Sequence, residues 1–180
     1  MNQKFLSVRD LCMIAVFTAI IAVTAQIIIP TPYGVPFTLQ TLAIPLAGVI
    51  LGAKRGTLAT IIYVLLGAVG APVFAMFAGG LGIVFGPTGG FILSFPILAF
   101  AAGYRAEKNN VWRLWTGIIG GVLFNYLCGI IWFSLYTSND LITSFRVCML
   151  IFLPTDTIKI IGTGLLGIKI RKLLFIKNLL

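Results

Sequence analysis

From Ile14 to Ala25, and again from Gly117 to Phe133, the chain carries no charged residue and places apolar side chains on every side of a helix. Similar runs recur along the whole sequence, each long enough to cover much of a hydrocarbon layer of ~30 Å. Inside lipid the backbone must satisfy its own hydrogen bonds, which leaves α-helices and closed β-barrels as spanning structures. A barrel strand alternates apolar and polar residues, and these runs do not. The expectation is therefore all-α: a transmembrane bundle forming a single domain, since no segment is polar enough to fold separately in water. Composition agrees, with 59% hydrophobic and 9% charged residues against about 45–50% and ~25% in soluble domains. The first run, from Leu11, lacks a small-residue cleavage pattern and reads as a retained helix.

Turn residues and charges mark off six expected spans, at about 11–29, 39–53, 57–70, 90–104, 112–136 and 145–170. Alternate inter-span segments hold 11 of the 13 Lys and Arg residues, from Lys4 and Arg9 to Lys177. Lys159 falls within a span, and only Arg146 lies on the opposite side. Basic residues accumulate on the cytoplasmic side, so both termini are expected in the cytoplasm. This placement accounts for the net charge of +9 without nucleic acid as a partner; attraction of anionic lipid to the basic face stays open.

The two segments expected to face outward, 29–38 and 69–90, contain no charge and are rich in Pro and Gly. Exposed linkers normally carry polar residues, so these loops are expected to fold back over the outer part of the bundle as lids. Tight turns or close helix packing are the other uses of the seven glycines between 70 and 90.

Asp156 and Lys159 stand three residues apart inside the last span, on one helix face, where each can neutralise the other. A lone charge at the bilayer centre costs at least ~2.5–3.5 kcal/mol, so both side chains must face the bundle interior. Pro154 removes a backbone donor just before them and is expected to kink the helix. A buried ion pair adds little net stability over apolar residues of similar volume. Ionisable groups within membranes more often mark a site, and this pair offers an acceptor and a donor to a small polar ligand. The hydroxyls of Thr155 and Thr157 either join the site or bond their own helix. For Gln40, which follows Thr38 and the first outer loop, and for Asn125 in the fifth span, ligand binding and interhelical hydrogen bonding both fit. Gln26, near the outer end of the first span, reads as interfacial. Small residues at helical spacing, Ala15/Ala19 and Gly48/Gly52, permit close helix contact, with Ala15 and Ala19 a candidate docking face.

Several chemistries lack equipment. The chain has no histidine, Cys12, Cys128 and Cys148 have no paired spacing, and the sequence suggests neither a metal site nor a cofactor. No nucleophile–base pair and no Walker A spacing are present, so neither an enzyme nor an ATPase is expected. An apolar pocket with a few convergent polar groups under uncharged lids is the remaining description.

The residues resemble the BioY family, the biotin-capturing S components of energy-coupling factor (ECF) transporters. The likeness runs from about residue 8 to 170 and is carried by VPFTLQTLAIPLAGVILG (35–52), GAVGAPVFAMFAGGLGIVFGPTGGF (67–91), YLCGIIW (126–132) and LPTDTIK (153–159). It implies a six-helix subunit of the bacterial cell membrane that holds biotin near the outer face. It also implies partners that use ATP elsewhere, a transmembrane coupling protein and two cytoplasmic ATPases. Carried onto this chain, Asp156 and Lys159 become the leading biotin contacts. Gln40 and the third loop around Phe74, Gly79, Gly80 and Gly82 would close over the ligand, and Ala15 and Ala19 would form the docking face. Met76 stands where some relatives have a smaller or polar residue. Two other readings remain beside this one: a stand-alone facilitator or secondary transporter, in which Asp156 carries a proton, and a membrane scaffold in which the ion pair is structural.

Overall fold

The computed structural model describes residues 7–31, 35–107 and 110–176. Lys4, Lys108, Lys177 and positions 32–34 of the first outer loop lie outside the described residues. The fold is mostly helical: α1 (Val8–Thr24), α2 (Gln40–Leu51), α3 (Ala53–Ala68), α4 (Leu81–Val84), α5 (Gly89–Ala106), α6 (Val111–Thr137), α7 (Leu141–Phe145) and α8 (Leu153–Ile176). Helix α1 starts at a capping box, with Ser7 Oγ accepting from Asp10 N and Asp10 Oδ2 accepting from Ser7 N.

The expectation of helix alone needs one correction. Helix α1 ends at Thr24 rather than near 29, and the chain turns into a short antiparallel hairpin, β1 (Ile28–Ile29) with β2 (Phe37–Thr38), pairing Ile28 with Thr38. The two ends of this uncharged segment pair with each other. Strand β2 leads at once into α2, so Thr38 and Gln40 sit at one corner of the bundle.

Helices α2 and α3 are joined by Gly52 alone, whose φ of +85° an L side chain rarely adopts, and α3 folds back so that Gly56 lies against Gly48. Two helices, Gly89–Ala106 and Val111–Thr137, are long and apolar enough to cross a membrane, and Leu141–Leu150 with Leu153–Leu174 makes a third if that pair, bent by 48°, is one span. Length and composition alone thus do not reach the expected six among the described residues, because α1, α2 and α3 have only 17, 12 and 16 residues.

The bend is where Pro154 was expected to act, but the interruption is larger than a kink. A π-helical turn, Arg146–Leu150, precedes it, and α8 begins at Leu153. Asp156 therefore lies in the first turn of α8, just past the bend. The positive end of the helix dipole favours a carboxylate there.

Helix α5 is the central element, packed on α6, α2 and α3, while α8 packs on α2. Lipid-type surroundings offer little hydrophobic drive between helices, so contact depends on small residues that let backbones approach. A Cβ on Gly48 would lie 2.1 Å from the Ala99 carbonyl oxygen, which identifies the tightest α2–α5 crossing. On α6, Leu114, Ile118, Val122, Asn125 and Phe133 face inward, whereas Ile119, Leu123, Leu127 and Leu135 are exposed. That outward apolar face is what a membrane helix presents to lipid.

Candidate functional site

A cavity of about 250 Å³ opens between α2, α5, α6, α8 and the segment 72–88, just below the ~300–1,000 Å³ common for small-molecule sites. Its walls are mainly apolar and aromatic, including Phe74, Phe91, Phe95 and Phe152. Phe152 stacks obliquely on Phe37 of β2, with ring centroids 4.1 Å apart.

The polar groups gather at one wall. Lys159 Nζ lies 2.7 Å from Asp156 Oδ1, and both residues are buried, at 9% and 3% exposure. Lys159 also donates to the Thr38 carbonyl at 2.8 Å and to Thr41 Oγ1 at 3.1 Å. All three ammonium donors are therefore engaged. Asp156 Oδ1 accepts from Lys159 and, at 3.2 Å, from the Thr41 hydroxyl, while Oδ2 accepts from the Tyr126 hydroxyl. A carboxylate has about four acceptor positions, so one remains on Oδ2. The pair faces the cavity wall, and a buried charge with two or more hydrogen-bonding partners is what such a site requires.

Thr38, Gln40 and Asn125 also line the cavity. Thr38 Oγ1 donates to Gln40 Oε1 at 2.9 Å, and Gln40 Nε2 donates to the Tyr63 hydroxyl at 2.6 Å. The Nδ2 group of Asn125 donates to the Phe91 carbonyl at 3.0 Å and to Ser94 Oγ at 2.7 Å. Its amide protons thus join α6 to α5, which is the interhelical role, and its carbonyl oxygen is the group left for a ligand.

Of the third-loop residues, Phe74 and Gly82 line the cavity, but Gly79 and Gly80 do not. Those two glycines shape the loop instead. A Cβ on Gly79 would meet the Ala71 carbonyl oxygen at 2.3 Å, and Gly80, with φ of +96°, donates to the Gly67 carbonyl at 2.7 Å. The loop is not structureless: it contains a 3-10 turn at Ala75–Phe77 and helix α4. Met76 and Phe77 both hold positive φ, and Met76 lines the cavity. The amides of Phe74, Phe77 and Gly80 are already bonded within the protein, so they are not part of an anion-holding nest.

Thr155 and Thr157 bond their own helix, at the Phe152 and Leu153 carbonyls, and take no part in the site. Gln26 is more than interfacial. Its Nε2 donates to the carbonyls of Val73 and Phe74, at 3.2 and 3.0 Å, and its Oε1 accepts from Phe77 N at 2.9 Å, tying α1 to the third loop. Ala15 and Ala19 are exposed on α1, opposite the face made by Ile14, Phe17, Thr18 and Ile21. Gly48 and Gly52 pack the bundle internally.

Sequence reasoning missed Tyr126, Thr41 and Cys148 as cavity residues. A tyrosine, a threonine or a cysteine in an apolar helix carries no pattern that separates packing from binding. Cys148 is placed by the π-helical turn, a feature local propensity does not announce.

Comparison with known proteins places these features in context. The sequence profile of the BioY family matches residues 1–175. The biotin transporter BioY of Thermotoga maritima is 40% identical over 168 residues, covering 92% of this chain and 97% of its own. The biotin transporter BioY of Rhizobium etli is 36% identical over 175 residues, covering 90% and 92%. The crystal structure of the S component for biotin from an ECF-type ABC transporter superposes with a TM-score of 0.85 at 31% identity, over 92% of each chain.

Proposed function

The chain belongs to the BioY family, and from that membership and the geometry of its cavity we propose that it is the biotin-binding S component of an ECF transporter. It is a membrane transport protein and not an enzyme. The observation that carries the reading at residue level is the acceptor position left on Asp156 Oδ2 beside a fully engaged Lys159.

Biotin presents a urea with two N–H donors and one carbonyl acceptor, an apolar thioether ring and a carboxylate tail. One urea N–H donates to Asp156 Oδ2. Lys159 donates a hydrogen bond to the urea carbonyl or the tail carboxylate by giving up its longest bond, the 3.1 Å contact to Thr41. Gln40, Thr38 and the Asn125 carbonyl provide further polar contacts, and Phe74, Phe91 and Phe95 flank the ring system. Phe74 and Gly82 act in the closing loop; Gly79 and Gly80 serve it by shaping the turn.

The proposal extends to topology and partners. The chain forms one membrane domain that crosses the bilayer six times, with α2, α3 and the bent α7–α8 pair as spans beside α1, α5 and α6. Both termini lie in the cytoplasm, which puts the loop over the cavity on the outside. Several basic and polar helix ends meet at the opposite pole: Arg55 pairs with Asp10 at 2.9 Å, and Arg171 donates to the Val49 carbonyl at 2.7 Å. A coupling protein in the membrane and two cytoplasmic ATPases supply the energy, and the exposed Ala15/Ala19 face of α1 is where the coupling protein docks. Biotin enters from outside, the loop closes, and the loaded subunit reorients when docked.

Titration of the purified protein with biotin tests the reading. Saturable binding that raises the unfolding temperature in a concentration-dependent way is expected, because a ligand that binds only the folded state must stabilise it. No stabilisation at any biotin concentration would refute it.

A further inference from the structure

The ion pair and the loop over the cavity are linked through Thr38, whose backbone carbonyl meets Lys159 and whose hydroxyl begins a line of hydrogen bonds to the loop. Lys159 holds the Thr38 carbonyl; the Thr38 hydroxyl donates to Gln40 Oε1; Gln40 Nε2 donates to the Tyr63 hydroxyl; and that hydroxyl donates to the Val73 carbonyl at 3.2 Å. The polarity of the line is determined by its far end. A carbonyl can only accept, so Tyr63 must donate to Val73, Gln40 must therefore donate to Tyr63, and its carbonyl oxygen is left to receive Thr38. Each residue of the line except Tyr63 and Val73 lines the cavity.

Tyr63 is fully buried, and its ring meets Phe74 edge-on with centroids 5.5 Å apart. The ring packing would survive without the hydroxyl, so the hydroxyl calls for its own explanation: it bridges the cavity wall on α2 to the carbonyl just before Phe74. Gln26 grips the same stretch of loop, but from α1 and through a side chain that does not itself line the cavity. The loop thus has a hold that a ligand does not touch and a second that runs through the ligand-facing residues.

We infer that Tyr63 is a positioning residue that couples occupancy of the Asp156–Lys159 site to closure of the third loop through its bond to the Val73 carbonyl. The inference rests on the biotin-binding reading. A ligand that engages Asp156, Lys159 and Gln40 orders Thr38 and Gln40, which sharpens the Gln40–Tyr63–Val73 bonds and holds Phe74 over the cavity. Hydrogen bonds in a low-dielectric interior polarise one another, so fixing Thr38 and Gln40 strengthens the bonds that run from Gln40 through Tyr63 to Val73. Closure then governs how fast ligand leaves, while entry past the open loop does not depend on the hydroxyl.

The test uses the full-length purified protein, with biotin release measured by chase and backbone hydrogen exchange measured with and without biotin. In the wild type, biotin slows exchange across 73–80. Tyr63→Phe keeps the ring and is expected to raise the biotin release rate roughly tenfold, the equivalent of one net hydrogen bond, with the association rate unchanged. It also loses most of the biotin-dependent protection at 73–80 and retains it at the start of α8. Gln26→Ala is expected to speed exchange at 73–80 with and without biotin alike, leaving the biotin-dependent difference intact. Wild-type release and loop protection in a folded Tyr63→Phe protein would overturn the assignment. So would loss of the biotin-dependent difference in Gln26→Ala, or its absence from a wild type that binds biotin. Failure of the wild type to bind biotin would instead refute the functional reading.

Discussion

The ring of Phe74 fills the space into which any side chain at Gly67 would project: its Cζ lies 2.0 Å from where a Cβ on Gly67 would stand. The third loop is thereby keyed to α3, with Phe74 only 2% exposed. Gly67→Ala must displace that ring, and overpacking of this kind costs about 1–3 kcal/mol. Because Phe74 lines the cavity, biotin affinity is expected to fall by roughly tenfold or more. Gly48→Ala meets the Ala99 backbone instead and is expected to lower the unfolding temperature whether or not biotin is present. Titration and thermal unfolding of the two variants side by side check the contrast; equal affinity in Gly67→Ala would remove Phe74 from the closing surface.

Tyr126 donates its hydroxyl to Asp156 Oδ2, the same oxygen that retains an acceptor position. Tyr126→Phe preserves the edge-on contact with Phe91, whose centroid lies 6.4 Å away, and removes one donor from a buried carboxylate. Hydrogen bonds to charged groups contribute about 1.5–3 kcal/mol. The variant is expected to unfold at lower temperature and to bind biotin more weakly by roughly tenfold, as the carboxylate loses a fixed orientation. Thermal unfolding with a parallel titration reads both effects, and unchanged values in both would place the tyrosine outside the site.

Ala15 and Ala19 point away from the α1 packing face. Replacement of either by Trp is expected to leave biotin binding by the isolated protein intact and to reduce uptake by cells that carry the complete transporter. The paired measurement is uptake in cells and binding in detergent. Loss of binding would show that this face belongs to the fold and not to a partner.

Parts of this architecture can be read from the sequence for plain physical reasons. Asp156 and Lys159 stand out because hydrocarbon tolerates a charge only inside a bundle, and the structure brings them 2.7 Å apart beside a cavity. Helices α5 and α6 begin and end within a residue or two of their expected limits because Gly, Pro and charged residues interrupt long apolar runs. The hairpin at Ile28–Ile29 and Phe37–Thr38 is not legible, since two-residue strands carry no period and arise from pairing. The interruption before α8 is legible only as a proline, whereas the π-helical turn that sets Cys148 in the wall has no signal in local propensity.

Side-chain roles divide in the same way. The resemblance implies that Gly79 and Gly80 close over the ligand; in the structure they permit close approach of the backbone to Ala71 and Gly67. Glycine in a sequence signals that something comes near without saying what. Gln26 and Tyr63 are separated by the whole of α2 and its flanking loops, and their joint hold on Val73 exists only once the chain is folded.

Asp156→Asn tests the central claim most directly, because it keeps shape and size while removing the charge that balances Lys159. Binding of labelled biotin to the purified wild type and variant is the measurement, with unliganded thermal unfolding as the check on folding. Loss of a charged hydrogen bond contributing about 1.5–3 kcal/mol predicts affinity lower by roughly ten- to a hundredfold or more. Equal affinity in a folded Asp156→Asn protein would contradict the account and leave the ion pair as a structural element only.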